Sequence, residues 1–306
     1  MKSGIAMLVA ASSLALVAAG CGGGDDSSGV ISADGSSTVG PFVTRAAEDF
    51  KAEQGVDVTV GISGTGGGFE RFCAGETDMS NASRPIEEDE VALCEEGGVK
   101  YIEFRVATDA LTNVINSAND WATCLTVDQL KTIWAPGSKV TNWNQVDSSF
   151  PDVPLRLFGP GTDSGTFDYF TDVIVGEEGA SRTDFSPSED DNVIVQGVSG
   201  ERGGLGYFGF SYFEQNQSTL KALEVDGGSG CVAPSADAAQ DGSYAPLSRP
   251  LFVYVKRSSF DDNADVRDFV GFMLDNNQSI AEAAQFVPLS EEQITEEQAK
   301  LEGATS

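Results

Sequence analysis

The chain has 306 residues, with 48 acidic against 18 basic side chains, a net charge of −30 and no histidine. This balance argues against a nucleic-acid surface, which needs basic patches. The missing histidine rules out Ser-His-Asp and Cys-His catalysis and argues against a zinc site. The acidity does not argue against an anion pocket, because a desolvated site acts through local dipoles while surface charge is screened beyond roughly 8–10 Å. Its simplest reading is solubility or adaptation to salt.

In chain order, Lys2, an apolar run from Ile5 to Ala19 and then Gly20-Cys21 read as an export leader, too short to span a bilayer comfortably. Residues 22–29, Gly-Gly-Gly-Asp-Asp-Ser-Ser-Gly, fit a flexible tether. No later stretch is apolar enough to span a membrane. The run Ile31-Ser-Ala-Asp-Gly-Ser-Ser-Thr38 leads into a helix with Val39, Phe42, Val43, Ala46, Ala47 and Phe50 on one face and Pro41 in its first turn. Residues 56–60, Val-Asp-Val-Thr-Val, alternate and are β-branched, which predicts a strand. The glycines at 64, 66, 67 and 68 then predict a sharp turn, followed by a short helix marked by Phe69 and Phe72. That stretch closes on Ser83-Arg84-Pro85. A helix is predicted over 126–134 and a strand over 153–158. The latter enters Gly159-Pro-Gly-Thr-Asp163-Ser164-Gly165-Thr166, and Phe167, Phe170, Val173 and Ile174 mark a third helix face. Residues 192–198, 205–213 and 250–256 read as strands. Val266, Phe269, Val270, Met273 and Leu274 mark a further helix, and 293–306 read as an acidic, frayed one.

Three times, then, a strand passes through hydroxyls and glycines into a helix. The first N–H groups of a helix lack intrahelical partners and form a ready anion site. Ser and Thr are also good helix caps, which would account for one such motif alone. Three in the same context point to convergence on one small oxyanion. Other glycine motifs lack their context. Gly204-Leu-Gly-Tyr-Phe-Gly209 has the dinucleotide spacing, but the aromatic residues after it read as strand rather than helix. No Walker lysine comes after Gly68, where Glu70-Arg71 stands instead, and Gly161-Thr-Asp-Ser164-Gly is not Gly-x-Ser-x-Gly. No Ser-x-x-Lys occurs at these sites.

The segments Gly35-Ser-Ser-Thr-Val39, 63–72, 73–86, Ser164-Gly-Thr-Phe-Asp-Tyr-Phe170 and Gly206-Tyr-Phe-Gly-Phe-Ser211 resemble the PstS phosphate-binding proteins that feed phosphate ABC transporters. The resemblance implies an α/β, two-lobe type II periplasmic-binding-protein fold, with mixed sheets, helices on both faces and the ligand in the interlobe cleft. Lobe one is expected to comprise residues 30–107 plus 249–306 and lobe two residues 108–248, with a first crossing over 107–114 and a return near Arg249. Residues 1–20 would be a lipoprotein signal peptide and 21–29 the tether. Val17-Ala-Ala-Gly-Cys21 resembles a bacterial lipobox, with Cys21 as the lipid anchor; Ala18 where leucine is usual leaves simple secretion as the alternative. The expected location is extracytoplasmic, lipid-anchored to the bacterial cell membrane. The expected partners are inorganic phosphate and the permease subunits of the transporter, for a monomer with no cofactor, no metal and no nucleic acid. An exported chain with four further cysteines predicts disulfides. Pairing Cys73 with Cys94 and Cys124 with Cys231 keeps each bridge within one lobe.

For the site, the resemblance implies Ser37, Thr38, Ser63 or Thr65, and Ser83 from lobe one, and Ser164, Gly165 and Thr166 from lobe two. Phosphate at neutral pH carries a proton and sulfate does not, so selectivity needs an acceptor. Familiar family members carry an aspartate where this chain has Ser83, which leaves Asp163 and Asp34 as candidates; Asp78 is expected on the strand after the helix. Relatives also often hold an arginine in the lobe-two loop, and here that loop has no basic residue. Arg84 is the one cation inside the binding motifs, and Pro85 disfavours helix at it. It is therefore expected to contact phosphate, oriented across the cleft by Asp163. The alternative for Arg84 is a surface cation offsetting the acidic run 87–90. Three functions remain: a solute receptor, a phosphate-ester hydrolase using the same oxyanion site, and an adhesin or signalling protein retaining the fold. The absence of histidine and of an evident metal cluster favours the receptor.

Overall fold

The computed structural model describes residues 30–162, 164–188 and 190–305. The expected leader, tether and lipid anchor at Cys21, and Asp163, lie outside the described residues. Among those described, no helix is long and apolar enough to cross a membrane.

Strand β1 (Ile31–Gly35) leads into helix α1 (Gly40–Gln54), which buries Phe42, Val43, Ala46, Ala47 and Phe50, the face that the spacing predicts. Then come β2 (Val58–Val60), α2 (Gly64–Cys73), β3 (Met79–Ala82), α3 (Glu88–Glu96) and the long β4 (Tyr101–Asn116). The middle of the chain forms β5 (Cys124–Thr126), α4 (Val127–Trp134), β6 (Arg156–Gly159) and α5 (Gly165–Phe170), which continues as a π-helical turn over Thr171–Val175. It goes on through β7 (Ser186–Pro187), α6 (Asp191–Gly200), β8 (Gly204–Gly209), α7 (Phe210–Asn216), β9 (Leu220–Ala222), β10 (Glu224–Asp226), β11 (Cys231–Val232) and α8 (Ala236–Gln240). Finally β12 (Ser248–Lys256) is followed by α9 (Arg257–Asp262), α10 (Ala264–Asp275), α11 (Asn277–Ala283) and α12 (Glu291–Thr305).

Among the described residues one mixed sheet runs in the order β2-β1-β3-β12-β4-β8-β6-β7, with β9 also on β4, and a small sheet runs β11-β10-β5. Strand β4 is the spine. Its first part pairs antiparallel with β12, and Leu111 to Ile115 pair antiparallel with β8. The apolar side chains sort into separate cores on either side of that changeover. Phe104, Val106 and Ala107 join Phe42, Phe50, Val253 and Phe269 in one. Leu111 and Ile115 join Trp134, Trp143, Phe170 and Tyr207 in another. Asp109, paired in register with Arg249, sits between the two.

Five sequence expectations are corrected. Residues 192–198 are helical, in α6, because the Asp190 carboxylate caps that helix by accepting from Asn192 N at 2.9 Å, and Ile194, Val195 and Val198 then bury one face. The strand expected to reach 213 stops at Gly209, and α7 comes next. A helix therefore does come after Gly204-Leu-Gly-Tyr-Phe-Gly209, but these glycines lie within β8 rather than in a turn. A Cβ on Gly206 would stand 2.9 Å from the Val198 side chain, so this glycine lets α6 pack on the sheet. The glycines at 64 to 68 form the first turns of α2 rather than a loop, and only Gly64 has a positive φ, 79°. The last helix is regular from Glu291 to Thr305.

The disulfides are Cys73–Cys94, tying α2 to α3, and Cys124–Cys231, tying β5 to β11, the pairing that keeps each bridge within one lobe.

Candidate anion-binding site

Between the two cores lies a cleft of about 690 Å³. Residues 63–67 and 83–85 line one wall, Tyr169, Asp172, Val173 and Glu178 the other, and Ser248, Arg249 and Pro250 its back. A smaller pocket of about 200 Å³ gathers Ser37, Thr38, Asp109, Ser164, Gly165 and Thr166. Arg249 connects the two, since it lines the larger cleft and its Nη2 donates to Thr38 Oγ1 at 2.9 Å. The lobes approach closely here, for a Cβ on Gly165 would stand 3.3 Å from Thr38 Oγ1.

The three helix starts differ in what their hydroxyls do. At α5 the Ser164 hydroxyl accepts from Thr166 N at 3.2 Å, so it caps the helix. At α1 and α2 the cap residues, Val39 and Ser63, make no side-chain cap bond. Ser63 donates its N–H to Gly35 O at 3.1 Å and its side chain is exposed. Thr65 is half-buried, with its Oγ1 3.1 Å from Ser83 Oγ and accepting from Ser83 N at 3.3 Å. Thr65 and Ser83 thus form one hydroxyl pair on the lobe-one wall. Capping accounts for Ser164 and leaves Thr38, Thr65 and Ser83 without that explanation. Gly68 brings the start of α2 close to β1: a Cβ there would meet Gly35 Cα at 2.5 Å and Ser80 Oγ at 3.1 Å.

The charged groups fall out differently from the sequence expectation. Arg84 lines the cleft, but its fork is taken up by its own lobe: Nη1 and Nη2 donate to the two Glu90 carboxylate oxygens at 2.7 and 2.8 Å, and Nε lies 3.1 Å from Glu87 Oε1. Pro85 holds the chain so that α3 begins next to Arg84, and the first turn of that helix is acidic. The cation at the back of the cleft is Arg249. Its Nε donates to Asp109 Oδ2 at 3.2 Å, and its guanidinium lies over the Tyr169 ring, 3.6 Å from the centroid. Tyr169 is fixed in turn by donating to Pro246 O at 2.7 Å. Among the described residues Arg249 Nη1 has no hydrogen-bond partner. The sequence does not mark Arg249 or Asp109, because no motif surrounds either one; only their cross-strand register, 140 positions apart, brings them together.

Of the carboxylates considered, Asp34 is buried behind the site, accepting from Gly35 N at 2.7 Å and paired with Arg71. Asp78 precedes β3 and accepts from Ser32 N, Ser32 Oγ and Ser259 Oγ. Burial would push its carboxyl up, but these donors outweigh that and hold it below the usual carboxylate range. Both are structural. Asp109, 5% exposed, faces the smaller pocket. Burial pushes its carboxyl above the usual range, and Arg249 offsets only part of that. Among the described residues the one group of three metal-capable side chains is Cys124, Glu224 and Cys231, whose sulfurs are joined in a disulfide, so it offers no metal site.

The chain matches a family model described as a PBP superfamily domain over residues 22–277. It is 49% identical over 265 residues to Protein SphX of Synechocystis sp., covering 86% of this chain and 79% of that one. It is 42% identical over 296 residues to the Phosphate-binding protein PstS of Staphylococcus saprophyticus, covering 95% of this chain and 91% of that one. Among solved structures, one described as a possible phosphate binding protein from Planctomyces limnophilus is similar at TM-score 0.86 and 43% identity, covering 91% of this chain and 99% of that one. The mixed sheet, the two cores and the cleft between them are the type II periplasmic-binding-protein fold. The chain belongs to the PBP superfamily and, within it, to the PstS-type phosphate-binding proteins.

Proposed function

We propose that this chain binds inorganic phosphate outside the cytoplasmic membrane and delivers it to an ABC-type phosphate permease. The observation that supports the reading is that hydroxyl and backbone donors from both lobes line two adjoining pockets, joined by Arg249 with its guanidinium over Tyr169. Thr38, Thr65 and Ser83 are assigned as donors from lobe one, with Ser37 and Ser63 at the rim, and Gly165 and Thr166 as donors from lobe two, held by the Ser164 cap. Arg249 supplies the cation. Each hydrogen bond to a charged acceptor contributes about 1.5–3 kcal/mol, and excluding water strengthens them together.

The lobe limits that fit this reading are 30–107 plus 249–306 and 108–248, with β4 and β12 as the hinge. We further assign Cys21 as a lipid anchor holding a monomeric receptor at the cell surface, next to its permease. The ester-hydrolase alternative draws no support from the relatives, and a chain without histidine has no imidazole base for it. Isothermal titration tests the assignment: one phosphate per chain is expected, bound far more tightly than sulfate. Turnover of a chromogenic phosphate ester above background, with or without divalent metal, would overturn a purely receptor role.

A further inference from the structure

We propose that Tyr169 is a positioning residue for the anion site: the face of its ring sets the plane of the Arg249 guanidinium and so aims the cation at the ligand. The inference rests on the reading that the cleft binds phosphate with Arg249 as its cation.

Arg249 is gripped at its edge and on its face by different groups. At the edge, Nε donates to Asp109 Oδ2 at 3.2 Å and Nη2 donates to Thr38 Oγ1 at 2.9 Å. Two hydrogen bonds along an edge fix where the guanidinium lies. They restrain its tilt only weakly, because the group can rock about the line through the two donors. The face is held by Tyr169, whose ring centroid lies 3.6 Å from the guanidinium carbon. The negative face of an aromatic ring attracts a cation, and more strongly where water is excluded. Here Tyr169 is 4% exposed and the Arg249 side chain 19%. Among the described residues no other ring lies against Arg249. The ring therefore decides where Nη1, which makes no hydrogen bond of its own among the described residues, is directed.

Tyr169 is itself fixed at both ends. Its ring is packed into the lobe-two core with Tyr244 and Leu247. Its hydroxyl donates to Pro246 O at 2.7 Å, three residues ahead of the arginine, which ties the ring to the segment that carries the cation. With its one hydroxyl hydrogen already committed, Tyr169 offers the cleft its face rather than a hydrogen bond to the anion. Thr38 comes from lobe one and Tyr169 from the lobe-two core, so Arg249 is fully oriented only while both lobes stand against it.

A residue that merely filled the lobe-two core would affect binding whether or not Arg249 is present, and a double-mutant cycle separates the two roles. Titration calorimetry with inorganic phosphate compares the parent, Tyr169→Phe, Tyr169→Leu, Arg249→Ala and the Tyr169→Leu, Arg249→Ala double variant. Tyr169→Phe keeps the ring face, loses only the Pro246 contact, and is expected to bind within about threefold of the parent. Tyr169→Leu keeps bulk without a π face and is expected to bind at least about tenfold more weakly. Added to Arg249→Ala, it should cost less than about threefold more, because the group it positions is already gone. An equal loss in both backgrounds overturns the proposal, as does a Tyr169→Phe loss as large as that of Tyr169→Leu. Should the leucine variants fail to fold, phenylalanine and its mono-, di- and trifluorinated forms at position 169 decide instead. Fluorine drains charge from the ring face with little change of shape, so affinity should fall stepwise, and a flat series overturns the proposal. If the parent binds phosphate and Arg249→Ala binds it equally tightly, the proposal fails and the receptor reading stands. No phosphate binding by the parent overturns that reading and this proposal with it.

Discussion

Arg249 is held by three contacts, the Asp109 carboxylate, the Thr38 hydroxyl and the face of Tyr169, and its Nη1 has no partner among the described residues. A cation restrained in this way has lost its rotamer freedom before the ligand arrives, so little ordering cost remains at binding. Removing a buried partner of a charged ligand costs about 2–5 kcal/mol. Arg249→Ala should therefore weaken phosphate binding at least ~30-fold, and Arg249→Lys should restore only part of it, because a lysine lacks the planar fork and the stacking surface. Arg84→Ala should weaken it less than about tenfold, since the Arg84 charge is already met by Glu90 and Glu87. Calorimetry of the three variants checks the ranking; a larger loss at Arg84 than at Arg249 would reverse the assignment. At this scale Thr38 and the Ser63/Thr65 pair are marked in the sequence by a local strand-to-helix pattern, whereas Ser83 is marked only by the family resemblance. The arginine is marked by neither, because cross-strand pairing between distant segments leaves no mark on the residues around Arg249.

The element scale shows which local signals can be trusted. Helices α1 and α10 are legible because each has one apolar face and each packs that face into the lobe-one core. Helix α6 misleads because Val193-Ile-Val195 is β-branched, a composition that favours strands. The stronger signal is Asp190-Asp191 just ahead of it, a helix cap and an acidic first turn. Tertiary packing then overrides the propensity, burying Ile194 and Val198 and leaving Val193 half exposed. The glycines of α2 suggest a turn, but they do different things. Gly68 is where α2 touches β1, whereas nothing lies nearer than 3.9 Å to a Cβ on Gly66. Gly68→Ala should overpack that contact and cost about 1–3 kcal/mol. Gly66→Ala, in a helical conformation with free space, should stabilise by about 0.4–1 kcal/mol through the unfolded chain. Urea denaturation midpoints of the two variants should move in opposite directions, and a common shift would show that the α2–β1 approach does not limit this position.

For the whole molecule, the net charge of −30 and the anion site work against each other at different ranges. On the proposed reading, phosphate in the site would meet Arg249, hydroxyls and helix N–H groups within hydrogen-bond reach, where salt screens little. Far from the site, it approaches a strongly negative body. The screening length is about 30 Å at 0.01 M salt and about 8 Å at 0.15 M. At low salt the ligand therefore climbs the repulsive field of the entire protein, and at physiological salt it senses only the cleft. Electrostatic steering here has the opposite sign from the common case in which charge accelerates encounter. Raising sodium chloride over that interval should speed phosphate association by a few-fold, roughly 3- to 10-fold, the low end of what long-range fields do to encounter rates. Dissociation, which breaks the desolvated contacts of the closed cleft, should change much less. Stopped-flow mixing over a salt series separates the two rates. An association rate that falls as salt rises would mean that a local positive field extends beyond the cleft mouth and dominates the approach, contrary to a site whose attraction is confined to Arg249 and its surrounding donors.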